Sequence, residues 1–476
     1  LKRFGSWPPA RVRLGAPFRR GMMSRLSARR LGRRAVDSRG GALGALGWES
    51  SLLPPPGCRS ASSVAPAVRR PPFLPREVRI AGAARTPIGA FCGALAPLPA
   101  ARLGAAAISA ALRRAGIEPE EVEAVIMGQA LPAGCGQNVA RQAATLAEIP
   151  PRADCTGINK GCASGLKAVA MGAQMIALGL ADVVVAGGME SMSQAPYMLR
   201  QARSGGYRYG HGMLEDSALL DGLTDAQEQR HLGACAEDVA RELGLSREDQ
   251  DRYTISSYRR AADAWQRGAM DLEVAPVRVR SAAAAGREGA TTERSIVTVS
   301  VDEEYSRLRI DQVATLPPVF EEGGTITAAS ASSLNDGAAA VVLVSAERAR
   351  AMGVVAASTR IVAFADHGVE PSQFAIAPSG AVRRALQLAR MSSVEYYEIH
   401  ETFAVVAMAN AQLLDLDPSR LNVNGGGVAL GHPLGASGAR ILCTLLSVLE
   451  QRAAGTGCAA IANGGGGATA LIVERV

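Results

Sequence analysis

Three stretches of this 476-residue chain pair reactive side chains with a pliable backbone. The first is Ile158-Asn159-Lys160-Gly161-Cys162-Ala163-Ser164-Gly165-Leu166, where a cysteine enters a long apolar helix. A helix N-terminus offers unpaired N–H groups and about half a positive charge, which favour a thiolate. The small neighbours Gly161, Ala163, Ser164 and Gly165 let a substrate come close. A free cysteine is also a common inert core residue, and spacing alone leaves both readings open.

The second stretch is Asn424-Gly425-Gly426-Gly427-Val428-Ala429-Leu430-Gly431-His432-Pro433-Leu434-Gly435-Ala436-Ser437-Gly438, in which six of fifteen residues are glycine. Here His432 is either a base for a nearby cysteine or a loop histidine bonded only to backbone. A glycine-rich loop before a helix can also cradle phosphate, but the GxxxxGK[ST] pattern is missing. The third stretch, Glu398-Ile399-His400-Glu401-Thr402-Phe403, runs from a strand end into a helix. Its polar groups serve chemistry or simply cap that helix.

The elements that must position these residues are legible as well. Glu77–Arg85, Val122–Gly128 and Ala181–Gly187 read as strands, and Pro99–Ala115 and Gly165–Leu180 as helices. The run ADVVVAG is apolar throughout, as expected for a strand covered on both faces. Alternating strands and helices imply a parallel α/β arrangement. Residues 196–318 are more charged, with amphipathic helices near Ala236–Leu243 and Arg247–Arg267, and read as an inserted region. Ala338–Ser345 restores the α/β texture. The strands Thr359–Ala365, Val394–Ile399, Ala459–Ala462 and Thr469–Val473 and the helices Ala404–Leu414 and Gly438–Gln451 then echo the first half. The organisation expected is a segment 1–75, a first half 76–350 with its insertion, and a second half 351–476.

Net charge narrows the partners once it is located. The chain carries +7, but residues 1–75 hold Lys2 and fourteen Arg against Asp37 and Glu49, 15 − 2 = +13. The remainder is therefore 7 − 13 = −6, which argues against a nucleic-acid groove. The first segment is Arg-rich, acid-poor and rich in Ser, Gly and Pro, the composition of a mitochondrial transit peptide, so a matrix location is expected. Met22 or Met23 is a candidate start within it. Eight scattered Cys without CxxC and five His without HxxxH favour neither disulfides nor a zinc site. No apolar run reaches the ~18–20 residues of a membrane span.

Taken together, the three stretches resemble the thiolases. Further shared motifs are Ala84-Arg85-Thr86-Pro87-Ile88-Gly89, Gly136-Gln137-Asn138, Gly187-Gly188-Met189-Glu190-Ser191-Met192-Ser193 and Asn335-Asp336-Gly337-Ala338-Ala339-Ala340. The resemblance spans 76–476 and is greatest to the acetoacetyl-CoA type. It implies two similar βαβαβαββ halves in a layered α-β-α-β-α arrangement with an inserted loop domain, assembled as homodimers or homotetramers. It implies interconversion of two acetyl-CoA with acetoacetyl-CoA and CoA. Cys162 would be the acylated nucleophile, His432 its base, and His400 would replace an Asn that positions an oxyanion-hole water. His231 would face the thioester end of CoA. Tyr258, Arg307, Leu308, Arg309 and Ser332 are the implied CoA contacts. Tyr258 with the carbonyls of Ala328, Ala329, Ala331 and Val428 is the implied potassium site. Ser330 replaces the usual Asn of that segment, and Gln312 stands where a Lys is expected.

One departure matters. The family's C-terminal Cys-x-Gly-Gly-Gly reads Ala462-Asn463-Gly464-Gly465-Gly466 here. The missing cysteine would move the α-proton of acetyl-CoA, and a methyl group cannot. Cys458 is four residues away, roughly 13 Å along a strand. Loss of a general acid/base costs 10²–10⁴-fold as an order of magnitude. Weakened condensation is therefore expected, unless His400 or water carries the proton. The rival readings are a broader 3-ketoacyl-CoA thiolase, a silent CoA-binding or scaffolding protein, and, less favoured, a ketoacyl synthase.

Overall fold

The computed structural model describes residues 73–203, 205–280, 296–351, 353 and 357–476. The transit-peptide reading falls on residues outside that range.

The strands are β1 Val78–Arg85, β2 Gly89–Ala90, β3 Ala124–Gly128, β4 Asp154–Ile158, β5 Val183–Ser191, β6 Tyr197–Met198, β7 Glu215–Asp216, β8 Val277–Arg280, β9 Ile296–Val299, β10 Asn335–Ser345, β11 Thr359–Gly368, β12 Tyr396–Ile399, β13 Thr456–Asn463 and β14 Gly467–Arg475. The helices are α1 Ala100–Ala115, α2 Val139–Leu146, α3 Ser164–Ala177, α4 Leu232–Glu242, α5 Arg247–Gln266, α6 Ala346–Ala351, α7 Ala377–Ala389, α8 Ala404–Leu414, α9 Gly427–Leu430 and α10 Leu434–Gln451.

The sheet repeats itself. From the middle outward, β1, β10, β5 and β3 pair antiparallel, antiparallel and parallel, and β4 extends the edge in parallel. On the other side β11, β14, β13 and β12 show the same sequence of pairings. Within the sheet, the two halves are joined through the pairs Arg79↔Arg360 and Ile80↔Thr359 among the described residues.

Both faces of this sheet are covered, which explains the uninterrupted apolar strands. Alternate residues of β10 serve opposite cores: Val341 and Leu343 pack with α3 and α10, whereas Val342 and Val344 pack with α1 and α2. In β14, Leu471 and Val473 join the α3–α10 core, while Ala470 and Ile472 face α7. The helix pair α3–α10 therefore lies between the two half-sheets, giving five layers, α-β-α-β-α.

That central pair packs at close range because glycines face each other. A Cβ on Gly165 would lie 2.8 Å from Ala439 N, and one on Gly438 would lie 2.5 Å from Leu166 N. The consequence is geometric. Cys162 and His432 each precede the first residue of their helix, α3 or α10, by two positions. The repeated topology thus puts the two candidate residues at matching places on abutting helices. The connection from β5 to β10 holds α4 and α5. Sequence reading missed β4 and α2, which are short, and α7, whose buried apolar stripe is mostly alanine.

Candidate active site

Cys162 sits in the turn between β4 and α3, outside the helix, with Ala163 as N-cap. Its side of the turn abuts Asn463 and Gly464: a Cβ on Gly161 would lie 3.4 Å from Asn463 Cβ. The loop carrying the sulfur therefore faces the run in which Ala462 replaces the expected cysteine. Cys162 lines a cavity of about 270 Å³ together with Gly464, Leu232, Leu434, Asp225 and Thr224. The sequence left open whether the helix end prepares a thiolate or the cysteine is buried and inert, and burial decides its resting state. Burial pushes the thiol up to about 12, although the amides of Gly464 and of Cys162 itself pull it down. The resting group is a neutral thiol and needs a base.

His432 is buried beside α10, not open in its loop. Its backbone N–H donates to Asn335 Oδ1 at 2.8 Å. Gly431 permits this approach, with φ of +106° and no room for a Cβ against the Asn335 amide. The ring Nδ1 lies 2.6 Å from Ser437 Oγ, and that hydroxyl donates to Pro433 O at 3.1 Å. A hydroxyl has one proton to give, so this network assigns the imidazole proton to Nδ1 and a lone pair to Nε2. That Nε2 has no hydrogen-bond partner. Burial, with the nearby Arg440 cation, drops the His432 pKa to about 3. The ring is a neutral base at physiological pH.

His400 follows β12 and donates its backbone N–H to Ala460 O at 2.9 Å. Its ring stands against that of His432, with centroids 4.1 Å apart. Its pKa is held well below normal, first by burial and then by His432 and Arg440. Next to it, Glu401 anchors the glycine-rich loop. Its carboxylate accepts from Tyr253, Ser257, Asn422 and the Val428 amide at 2.7–3.1 Å.

Ala462 is 2% exposed and packs with Leu232, Phe403 and Ala331. Cys458 belongs to a different cluster, with Ala381 and Tyr397. Burial pushes its thiol to about 12.

The groups expected to meet CoA fall into two places. Arg307, Leu308, Arg309 and Gln312 line one groove together with Ala328 and Ala329. His231 caps α4, stacks on Phe320 at 4.6 Å and accepts the Gly233 N–H through Nδ1. Burial lowers its pKa to about 4. Ser332 donates to Thr402 O at 2.8 Å, and Ala331 bridges to Phe403, so this segment is tied to the His400 turn. Tyr258 is buried, which suits an ion better than a CoA chain. Its hydroxyl has no partner, and Val428 lies in the same cluster. A buried orphaned phenol oxygen fits a cation held by oxygen donors. Among the described residues, no group of His, Cys, Asp and Glu is arranged to hold a metal.

The sequence reading gave no individual role to Ser437, Asn335, Glu401 or Glu190, although each lies in a motif quoted above, and it passed over Arg440 altogether. Glu190 is buried and accepts from the amides of Ala130, Leu131 and Gly435. Burial raises it to about 7 despite those bonds. One signal was available. Arg440 is the only charged residue in the run from Gly431 to Val448, an odd place for a cation.

A buried cysteine and a neutral histidine, set at matching helix entrances of a duplicated α/β fold, define an acyl-transfer class of enzyme. The chain belongs to the thiolase family: residues 78–347 match the thiolase N-terminal domain and 355–475 the thiolase C-terminal domain. It is similar to acetyl-CoA acetyltransferase 2 of Arabidopsis thaliana, 48% identical over 84% of this chain and 97% of that one. The mitochondrial acetyl-CoA acetyltransferase of Homo sapiens is 45% identical over 84% and 91%. Among solved structures, an Ascaris suum thiolase (Acat5) in complex with coenzyme A is 41% identical. It superposes with a TM-score of 0.77 over 84% of this chain and all of that one. The Bacillus anthracis acetyl-CoA acetyltransferase gives 0.80 at 36% identity, over 85% and 100%.

Proposed function

We propose that this protein takes an acetyl group from acetyl-CoA onto Cys162 and passes it on, as an acetyl-CoA acetyltransferase with weakened condensation. The observation that carries the reading is a cysteine on a 270 Å³ cavity, met by two backbone amides, in a fold that gives His432 Nε2 a free lone pair. In the first step His432 Nε2 takes the thiol proton while the sulfur attacks the thioester carbonyl. The C–S bond to CoA then breaks, and the leaving thiolate takes the proton back. The Cys162 and Gly464 amides, which pull the thiol pKa down, would stabilise negative charge on this side.

The second step, carbon–carbon bond formation, needs a group that removes an α-proton. Ala462 offers none, and this supports reduced condensation. The Arg307–Arg309 groove suits the phosphates of CoA, with Gln312 supplying no charge. Tyr258, Ala328, Ala329, Ala331 and Val428 would hold potassium, whose role would be to stiffen the loops at the site. The mitochondrial names of several relatives, with the Arg-rich first segment, support a matrix location. Homodimers or homotetramers are proposed on the family pattern.

The test is a steady-state assay of acetoacetyl-CoA thiolysis and of condensation, each with and without K⁺. Measurable thiolysis with slow condensation supports this reading. Activity rising with acyl chain length would favour the broader 3-ketoacyl-CoA thiolase. Neither turnover nor acetylation of Cys162 would leave only a CoA-binding or scaffolding role.

A further inference from the structure

Arg440 lies on α10, wholly buried, and is used unlike the other buried arginine. Arg85 spends its guanidinium on carboxylates: Nη1 and Nη2 reach Asp302 at 2.7 and 2.9 Å, and Nε reaches Glu273 at 2.7 Å. Arg440 has no carboxylate within ion-pair distance among the described residues. Its Nε and Nη1 have no partner. Its Nη2 lies 3.2 Å from His400 Nδ1. Burying a cation without a directly paired carboxylate is costly; Glu398 acts on it without forming an ion pair, so its single directed contact calls for an explanation.

The contact has only one chemical sense. Arginine donates and never accepts. His400 Nδ1 must therefore be the acceptor, which places the proton of the neutral ring on Nε2. That N–H has no protein partner. It stands beside His432, whose Nε2 the Ser437 network leaves as a lone pair. A flipped His400 ring would turn a carbon toward Arg440, so the same contact selects the ring orientation. Gly427 leaves room for the ring, since a Cβ there would lie 2.7 Å from His400 Cε1. His432 and Arg440 are the charged or titratable groups that act on His400, and Glu398, Arg85, Glu273 and Glu401 act on Arg440.

We propose that Arg440 is a positioning residue that locks His400 as its Nε2–H tautomer, so that the two facing imidazoles present one donor and one acceptor to the substrate. An asparagine side chain would carry its N–H without a tautomer choice, whereas a histidine needs one imposed. The catalytic consequence rests on the acyl-transfer reading above; the tautomer does not.

Neutron diffraction from a deuterated crystal of the unaltered protein tests the tautomer directly. Deuterium on His400 Nε2 and none on Nδ1 is expected; deuterium on Nδ1, alone or with Nε2, overturns the proposal. A kinetic cycle tests the consequence, with rapid quench and mass spectrometry giving the rate of Cys162 acetylation by acetyl-CoA. Arg440→Met should slow acetylation at least about tenfold, less than the roughly 10²–10³-fold cost of removing an oriented donor outright, because the His400 ring stays and only its proton is no longer fixed. In a His400→Asn background the same change should cost less than about threefold. Equal losses in both backgrounds would mean that Arg440 only supports the fold, and would overturn its positioning role. Arg440→Gln, which keeps a donor toward Nδ1, should recover most of the rate; if Arg440→Met does not fold, the deuterium positions on His400 alone decide the proposal. Correct deuteration with no acetylation in any form would sink the acyl-transfer reading and leave the tautomer standing.

Discussion

The imidazoles of His400 and His432 face each other with centroids 4.1 Å apart and planes tilted by 47°, and the Nε2 of each lacks a hydrogen-bond partner. Two imidazolium ions could not share this space beside the Arg440 guanidinium. The arrangement holds only while both rings are neutral. Burial and the neighbouring cation secure that, and they also tie the fold to pH.

His432 titrates at about 3 in the folded protein against about 6.5 in the unfolded chain. Between those values the unfolded state binds more protons, so this group's contribution is complete above about pH 6.5 and is lost as pH falls toward 3. Glu190 has the opposite sign. Its folded value of about 7 exceeds the ordinary 4.5, so its contribution is present below 4.5 and is lost as pH rises to 7. Denaturant midpoints from pH 4.5 to 7 should therefore rise less steeply with pH in His432→Gln than in the parent. In Glu190→Gln they should rise more steeply. Each full proton is worth about 1.4 kcal/mol per pH unit. Parallel curves for all three proteins would refute the assignment.

Acetyl-CoA at saturation should leave one acetyl group on the peptide containing Cys162, read by mass spectrometry after acid quench. His432→Ala should slow this acetylation by about 10²-fold or more, because a thiol held near 12 releases its proton only to a base. The other buried thiols, Cys155, Cys235, Cys443 and Cys458, should stay unmodified. Absence of label on Cys162 would remove the nucleophile from the account.

How much of this was readable beforehand follows from how the signals arise. The strands of the central sheet announce themselves because both of their faces are buried, as in Val183–Ser191 and Asn335–Ser345. Cys162, His432 and His400 stood out because a reactive residue among glycines, or at a strand end, is conspicuous. Their partners were invisible because they join through space. Asn335 reaches His432 across 97 positions, and Glu190 reaches Gly435 across 245. The state of the cysteine stayed open for a related reason. Sequence shows a helix entrance, which lowers a thiol pKa, but the burial that outweighs it appears only once the halves are packed. The short β4 and α2 offered too few residues for either periodicity to emerge.

The buried cluster around Arg85 should matter for stability. Asp302 accepts from Arg85 twice, from the Ile88 amide and from Trp265 Nε1, and so ties β1 to the inserted region. Asp302→Ala would leave the fully buried guanidinium with Glu273 as its one carboxylate partner among the described residues. Removing one partner of a buried ion pair costs about 3–5 kcal/mol, which should appear as a large drop in the denaturant midpoint. Asp302→Asn keeps some hydrogen bonds and should lose less. An Asp302→Ala protein within about 1 kcal/mol of the parent would show that solvent or a rearranged carboxylate replaces the contact.

Ala462→Cys restores a thiol at the end of β13, next to the turn whose Gly464 amide serves Cys162. The added sulfur enters a cluster with Leu232 and Phe403, where one heavy atom is a small volume change, so folding should be largely preserved. General acid/base groups are worth about 10²–10⁴-fold. Condensation of two acetyl-CoA should rise at least about tenfold, while acetylation of Cys162, which needs no α-proton, should change less than about threefold. That split between half-reactions is the diagnostic reading, because a variant that merely stiffened the site would move both. Cys458→Ser should leave both rates alone, since Cys458 packs against Ala381 and Tyr397 in another cluster. An unchanged condensation rate in a folded Ala462→Cys protein would mean that a different group already carries the α-proton, and His400 Nε2 would be the next atom to examine.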